Sequence, residues 1–600
     1  MRVKFLVLIM TPLLVATTAT SEPRDIRFPD DAGVIDVTQH GAKPDDVVVD
    51  NLVILALLDK HPAGNHIFYF PRGVYLLSDA LRPALDDGVT KRNIFQGQSQ
   101  SGTILKLRDG LEHKDSVIDF RGGPAQFFRN AVRDLTIDIG KGNPGATGLK
   151  FNASNQGTVR NVTIRSGEGG AVGLDMGHSG EVGPLLVADV TIEGFEHGMI
   201  TRWQTASQTI DGLTLRGQAK SGWTNLNSQT VFARRVRSEN ECTAIVNTAE
   251  ARMLVVDSQL IGKGEAAKVP AIRNQKSLYL RNVDTSGYGY GATNQLVAGR
   301  GNPGEKAGLI DEYWANGADE RRRGAPYKLF DSPDAMLNLP VEDAPKIPWD
   351  KLDAWSGPHR FGGKPDDGKD DTLAIQAAID SGARTVYLPR GTWQIDGVIE
   401  VRGKVRRILG TEARIRGAGR FKIVDGDATA VVIERLEGQG QFEHASGRTL
   451  VLEHLLGFAY TSSISKPGKL FLSDVVGRPF RVRPGQHVWA RQLDIEGNIE
   501  ADPNSDARVV NDGGTLSILG FKTEDEGTHI LTTNGGRTEV LGALHVGAFG
   551  SEPRYVTIDS SISAALIKGG KNTVREVRGN DKREGDIGIA DVYSGFSPSR

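Results

Sequence analysis

The chain has 600 residues, 72 basic and 74 acidic, for a formal net charge of -2, and this balance offers no general field for nucleic acid or an anionic membrane surface. Its length exceeds what one hydrophobic core sustains and predicts more than one domain. With 73 Gly, 6% aromatic residues and the single Cys242, it favours tight turns and aliphatic strands and excludes an internal disulfide.

Residues 1–21 read as an export signal. Arg2 and Lys4 form a charged start, Phe5 to Val15 an apolar run, and Ala19-Thr20-Ser21 a small-residue cleavage site. The run is shorter than the roughly 20 residues of a transmembrane helix, and no later stretch reaches that length. The expectation is a secreted or periplasmic bacterial protein, monomeric and free of the membrane after cleavage.

A motif then occurs twice, about 320 residues apart. The first copy is Gly41-Ala42-Lys43-Pro44-Asp45-Asp46, a helical stretch from Asp50 to Asp59, and Tyr69-Phe70-Pro71-Arg72-Gly73. The second is Gly362-Gly363-Lys364-Pro365-Asp366-Asp367, a helical stretch from Asp371 to Asp380, and Tyr387-Leu388-Pro389-Arg390-Gly391. A long internal period signals homologous domains. Leu52, Leu55, Ala56 and Leu58, and likewise Ala374, Ile375, Ala378 and Ile379, carry helical spacing, so each copy predicts a short helix covering the open end of a solenoid.

After the first copy a strand phrase recurs: Val132-Arg-Asp-Leu135-Thr-Ile137, Val159-Arg-Asn-Val162-Thr-Ile164, Val187-Ala-Asp-Val190-Thr-Ile192 and Ile210-Asp-Gly-Leu213-Thr-Leu215. Intervals of 27, 28 and 23 residues suit one coil of a parallel β-solenoid. Apolar and polar residues alternate within each phrase, as in a strand with one buried face. Less regular phrases follow at Val231 to Val236 and Leu280 to Val283. Pro326, Pro333, Pro340, Pro345 and Pro348 then resist both helix and sheet. They mark residues 326–355 as a linker between a first β-helix at 22–325 and a second at 356–600. Shorter coils are read at Ala430 to Leu436, Thr449 to His454, Lys469 to Val475, His487 to Leu493, Thr515 to Phe521 and Thr538 to Leu544. A charged tail begins near Asn580.

The opening motif around Gly362 to Asp380 resembles that of the pectate-lyase-like superfamily of right-handed parallel β-helices. The tandem arrangement resembles glycoside hydrolase family 55, the β-1,3-glucanases. Gly173-Leu174-Asp175-Met176-Gly177-His178-Ser179-Gly180 is similar to a family stretch centred on Gly-Ser-Gly. His487-Val488-Trp489-Ala490 and Leu519-Gly520-Phe521-Lys522-Thr523-Glu524 resemble later family phrases. The implied fold is all-β, two tandem parallel β-helices, each opened by a capping helix. The implied activity is inverting hydrolysis of a β-glucan between them, with a polysaccharide as partner and no cofactor. Superfamily motifs serve hydrolases, lyases and binding proteins alike, so a lyase acting on an acidic glycan and a non-catalytic glycan-binding surface protein stay open as alternatives.

Hydrolysis of a glycosidic bond needs a proton donor and an activated water or nucleophile. The resemblance places the acid on the second β-helix, where Glu453 is the first candidate and Glu434 and Glu437 the fallbacks. The competing reading of Glu453 is a charged residue on the outer face of a coil. For the water the resemblance points to Ser179, with Asn152 and Asn155 where the family has paired Gln; stacked turn asparagines are the competing reading. Asp175 and Glu181 flank the same loop. Sugar rings stack on aromatic faces, and Trp203, Trp223, Tyr288, Tyr290 and Trp314 stand in turn-like contexts, with Arg202 as a hydroxyl binder; Trp393 reads as core. No His or Cys cluster has metal-ligand spacing, and the acidic run at Asp366 to Asp371 is read as turn formation and N-capping rather than a calcium or other metal site.

Overall fold

The computed structural model describes residues 25–84, 92–112, 115–120, 128–178, 182–203, 206–295, 301–316, 326–496, 507–524, 526–547, 550, 552–587 and 592–595. The chain forms two parallel β-helices. In the first, one sheet stacks ten parallel strands from Ile35–Asp36 through Asn130–Asp138, Gly157–Arg165, Leu186–Glu193, Ser207–Arg216 and Thr230–Asn240 to Ser277–Asp284, with Gly73–Leu77 and Thr103–Leu107 beside them. The opposite sheet runs from Ser116–Asp119 to Tyr290–Gln295. In the second, the corresponding long sheet includes Arg407–Arg416, Ala430–Gly438, Thr449–Glu453, Leu470–Gly477, His487–Ile495, Thr515–Glu524, Arg537–Val546 and Ser561–Lys568.

The duplicated motif places a short helix in each copy as expected, but in the first copy the packed face is shifted: Leu52 and Ala56 are exposed and Leu55 half-buried, leaving only Leu58 of the expected set inside. α1 (Asn51–Lys60) buries Ile54, Leu57 and Leu58, and α2 (Thr372–Asp380) buries Ala374, Ile375, Ala378 and Ile379. The carboxylates brace the turn instead of capping the helix. Asp50 accepts from the Lys43 N–H at 2.7 Å and Asp371 from the Lys364 N–H at 3.0 Å, while Asp45 and Asp366 each accept from the next strand at 2.9 Å. Neither Asp50 nor Asp371 makes a side-chain bond to its helix; within the acidic run it is Asp370 that accepts from the Thr372 N–H at 3.0 Å, so the capping part of the expectation holds at that one residue. At the far ends an antiparallel strand closes each stack, Leu309–Asn316 on Ser277–Asp284 and Val592–Gly595 on Ser561–Lys568. Such closure protects edges that invite pairing.

The strand phrase is not one straight strand. Its third residue is left-handed in coil after coil: Asp134 (φ 55°), Asn161 (53°), Asp189 (52°), Gly212 (90°), Arg235 (55°), Asp257 (47°) and Asn282 (52°). Asn, Asp and Gly tolerate that region best, and this explains why the phrase repeats them. The corner puts two residues outward in succession, such as Arg133-Asp134, so the pattern runs in, out, out, in, out, in. Beyond the corner, Asp138, Arg165, Glu193, Arg216 and Glu239 sit in register on successive rungs. Their alternating charges favour this stacking over a slipped one. Inside the first solenoid the buried amides of Asn225, Asn247, Asn274 and Asn294 hydrogen-bond in series at 3.1, 2.8 and 2.8 Å. This ladder satisfies polar groups that burial would otherwise penalise.

Apart from a β-bridge between Tyr327 and Tyr593, the Pro-rich segment is without helix or sheet through residue 351, and part of it packs on the second solenoid. Val341, Ala344 and Ile347 cover Val432, Val451, Phe471 and Trp489 on the outside of the second solenoid, and the Trp489 indole donates to the Pro340 carbonyl at 2.9 Å. At the capped ends, Phe28 and Tyr69 join Trp355 and Tyr387 in one aromatic cluster spanning both solenoids.

Candidate functional site

The two long sheets face each other rung by rung across a seam. Strand Ser207–Arg216 meets His487–Ile495 and Thr515–Glu524, and Arg252–Gly262 meets Ser561–Lys568. The outward corner residues therefore become interface residues. Arg160 clasps Glu453 with two hydrogen bonds of 2.7 and 3.2 Å, and Arg281 clasps Glu539 with bonds of 2.8 and 3.2 Å. Arg491 and Arg235 share Asp211 at 2.6 Å each. Buried charges persist only when paired this way.

All three predicted acids lie in this seam. Glu453 is on the outer face of its coil, as its competing reading held, yet the first solenoid covers it and Arg160 holds it. Burial pulls the Arg160 guanidinium down, and Glu453 more than offsets this and raises it. Glu434 is buried against Arg407 and Arg435. Glu437 is bonded by Arg92 and Arg414. Burial pushes its carboxyl up, but Arg129 and Arg92 outweigh that and hold it below the usual range. A general acid needs the opposite environment. Within the same seam Asp474 is pushed up to about 7, chiefly by burial, and meets His454 Nδ1 at 2.8 Å.

Several predicted binding residues are placed differently from expectation. Trp223 is a strand residue with no exposure, donating its indole N–H to the Thr201 hydroxyl at 2.9 Å. Tyr288 is buried and donates to the Cys242 carbonyl at 3.0 Å. Trp314 lies on the closing strand opposite Tyr279 and packs against the seam's apolar cluster. These three rings are structural because the solenoid interior or seam takes their faces. Trp393 is core, as read. Tyr290 is about half exposed (49%). Trp203 remains half-buried at φ 109°, with the Arg202 guanidinium 5.1 Å from its ring centroid. Asn152 is fully buried and its carbonyl accepts from Asn130 at 3.1 Å, which removes it from any open cleft. Asn155 is a left-handed turn residue (φ 57°). Asp175 turns back on its own loop, accepting from the Gly177 N–H at 2.8 Å. Ser179 and Glu181 lie outside the described residues.

A different cluster has the character of a site. Beyond the corner of the second solenoid's long sheet, Asp494 and Lys522 stand on adjacent rungs. Lys522 Nζ lies 3.2 Å from Asp494, 2.7 Å from Glu524, and also contacts Glu496. Asp494 and Lys522 are buried, whereas the side chains of Glu496 and Glu524 are 35% and 42% exposed. Three carboxylates thus share one ammonium. Burial pushes Asp494 well above the carboxylate range, with Glu496 adding to the rise and Lys522 opposing it. For Lys522, burial lowers the ammonium and Asp494 and Glu496 raise it by more. The Thr209 hydroxyl donates to Gln492 at 3.0 Å, which fixes strand Ser207–Arg216 at this level. Arg202 ends strand His197–Arg202, which precedes Ser207–Arg216 in the chain, and Trp203 follows it, so both belong to the coil that Thr209 fixes here. In the sequence, the phrase Leu519 to Glu524 contains Lys522 and Glu524, whereas nothing local marks Asp494 or Glu496.

Residues 34–268 match the family described as Rhamnogalacturonase A/epimerase, pectate lyase-like, a span that lies within the first solenoid and ends before its last strands. A curated relative, Alginate lyase 7 of Azotobacter vinelandii, is 29% identical over 144 residues, 22% of this chain; the chain spans only 16% of that relative. Among solved structures, sacteLam55A from Streptomyces sp. SirexAA-E is 13% identical at a TM-score of 0.41, covering 95% of this chain and 99% of that one. The A-module of the Azotobacter vinelandii mannuronan C-5 epimerase AlgE4 is 10% identical at 0.26, covering 86% and 100%. At such identities and scores these structural likenesses bear on neither substrate nor reaction. The class that the strands themselves define is a tandem pair of parallel β-helices joined by a strap, and the pectate-lyase-like match lies within the first of them.

Proposed function

We propose that the protein is an exported, monomeric carbohydrate-active enzyme that hydrolyses a β-glucan, β-1,3-linked, with inversion, where the Glu496–Lys522–Glu524 cluster meets the coil of Arg202 and Trp203. The observation that carries this reading is the pair of exposed carboxylates held on one ammonium above a buried, strongly raised carboxyl. Glu524, the more exposed, is assigned as the proton donor to the leaving oxygen; because Lys522 holds it at 2.7 Å, the assignment requires bound substrate to draw it off the ammonium before it can carry the proton. Glu496 and Glu524 bond the same nitrogen, so they stand closer than the roughly 6.5–9.5 Å that an inverting pair requires. The attacking water must then be held from the first solenoid, and the loop containing Ser179 is the assigned holder. Trp203 packs partly against the first solenoid's core and carries Arg202 over its ring, so the ring borders the site and Arg202 is the assigned binder of sugar hydroxyls.

A second reading, a lyase acting on an acidic glycan, is supported by the similarity over 144 residues to a protein named as an alginate lyase. The two differ in products, since elimination leaves an unsaturated, ultraviolet-absorbing end and hydrolysis does not. Wild type and Glu524→Gln are to be assayed on laminarin for reducing ends and for ultraviolet absorbance. The expected loss is about 10²- to 10⁴-fold, the usual contribution of a general acid. Undiminished turnover in Glu524→Gln refutes the acid assignment, and wild type inert on laminarin refutes the substrate.

A further inference from the structure

The outward column that carries the cluster continues past it. Asp494, Lys522, Leu544 and Lys568 occupy successive rungs in register, which sets Lys568 two rungs, about 10 Å, from Lys522 at normal strand spacing. Lys568 reaches across the seam and donates to the Ser228 carbonyl of the first solenoid at 3.2 Å. Arg252 begins a strand on the next rung of that solenoid, and its Nε is buried without a hydrogen-bond partner.

Arg160, Arg281 and Lys522 each meet a carboxylate in the seam. Lys568 and Arg252 do not: among the described residues no acid forms an ion pair with either. The Glu250 carboxylate acts on Arg252 at a distance, and it is exposed and bonded by the Ser228 hydroxyl. Both side chains are only half-buried, so solvent and ligands can reach them. Burial, with Arg252 adding to it, draws Lys568 down to about 8. Burial likewise lowers Arg252. Two neighbouring cations left without a counter-charge create a local demand for an anion.

We infer that Lys568 and Arg252 form a subsite for an anionic group on a glycan, a carboxylate or a sulfate ester, two rungs along the seam from the Lys522 cluster. The inference rests on the proposed placement of the glycan along this face, and it deepens that reading by giving the substrate a charged substituent away from the reacting bond. The guanidinium binds one pair of oxygens, and the ammonium, already turned toward the Ser228 carbonyl, supplies a second charge.

Calorimetric titration of the full chain with an oligouronate, a sulfated laminari-oligosaccharide, the neutral laminari-oligosaccharide and inorganic sulfate tests this. At least one charged saccharide is expected to bind ten times or more tighter than the neutral one, and which of the two does so identifies the group. Lys568→Gln and, separately, Arg252→Gln should erase that preference, whereas Lys568→Arg should keep most of it; melting temperatures report whether each variant is folded. Equal binding of charged and neutral saccharides overturns the subsite, as does a preference that survives both Gln variants. Inorganic sulfate binding as tightly as the saccharides overturns the glycan assignment. Laminarin turnover by the wild type is read independently, so the hydrolase reading and the subsite fail separately.

Discussion

Glu453→Gln separates a structural carboxylate from a catalytic one. Its carboxylate takes two hydrogen bonds from Arg160, at 2.7 and 3.2 Å, and the side chains are 11% and 19% exposed. Glutamine preserves the shape and one acceptor but leaves the guanidinium charge buried without its counter-ion. Breaking a buried pair from one side costs about 3–5 kcal/mol; the retained acceptor and residual exposure bring the expectation to about 2–3 kcal/mol. Unfolding entropy of about 2.1 cal/mol/K per residue amounts to roughly 1.2 kcal/mol/K for a chain of this length, so the melting temperature should fall by about 2 °C if both solenoids melt together. Calorimetry reads the shift. Arg160→Met combined with Glu453→Leu should recover much of the loss, since removing both charges removes the stranded one. Laminarin turnover by folded Glu453→Gln should stay within a few-fold of wild type. An unchanged melting temperature with turnover reduced a hundredfold would refute the structural reading and restore Glu453 as the acid.

Two further perturbations probe the same seam. His454 and Asp474 share one proton in the folded chain: burial keeps the histidine neutral, well below its ordinary 6.5, and lifts Asp474 from 3.8 to about 7 against the pull of Gly157 N–H, Arg133, Arg129 and Arg160. Between about pH 4 and 6.5 the unfolded chain also holds one proton, on the histidine, so this pair gives stability almost no slope. Asp474→Asn takes the folded chain's proton away, and the unfolded state then binds more protons below pH 6.5; stability should fall on acidification by about 1.4 kcal/mol per pH unit. Denaturant titrations at pH 5 and 7 measure this, and parallel profiles for wild type and variant would count against the assignment. Gly542 is left-handed (φ 89°), and a Cβ there would lie 1.9 Å from the Phe232 ring of the other solenoid. Gly542→Ala should cost about 2–4 kcal/mol from strain and overpacking combined, with Phe232→Leu recovering part of it; an unaltered melting temperature would show that the solenoids are not in contact there.

The solenoids, their caps and the strap were legible because each rests on a local rule. Apolar spacing in Asn51–Lys60 and Thr372–Asp380 marks the caps, and proline density marks the strap. The corner was visible as recurrent Asn, Asp and Gly, but without φ values it looked like the polar half of an alternating strand. That misreading matters for the site. In simple alternation every outward residue faces solvent, whereas the corner throws two outward together and supplies the side chains with which one solenoid grips the other. Glu453, beside His454 at such a corner, was therefore bound to be taken by the seam.

Asp494 and Lys522 follow the corner by two residues, at the first outward position beyond it. Residues in that column were ordinary charged letters in ordinary strands. What distinguishes Lys522 from Arg216, at the second outward position of the first solenoid, is which edge of the stack its neighbours crowd, and no local pattern encodes that. The seam also limits where chemistry can occur. Where Arg–carboxylate clasps and the strap fill it, no sugar can enter, and where outward carboxylates keep a third or more of their surface, as Glu496 and Glu524 do, a ring can approach. A search for the acid is thus directed to rungs where carboxylates keep a third or more of their surface, among them Glu496 and Glu524 on Lys522.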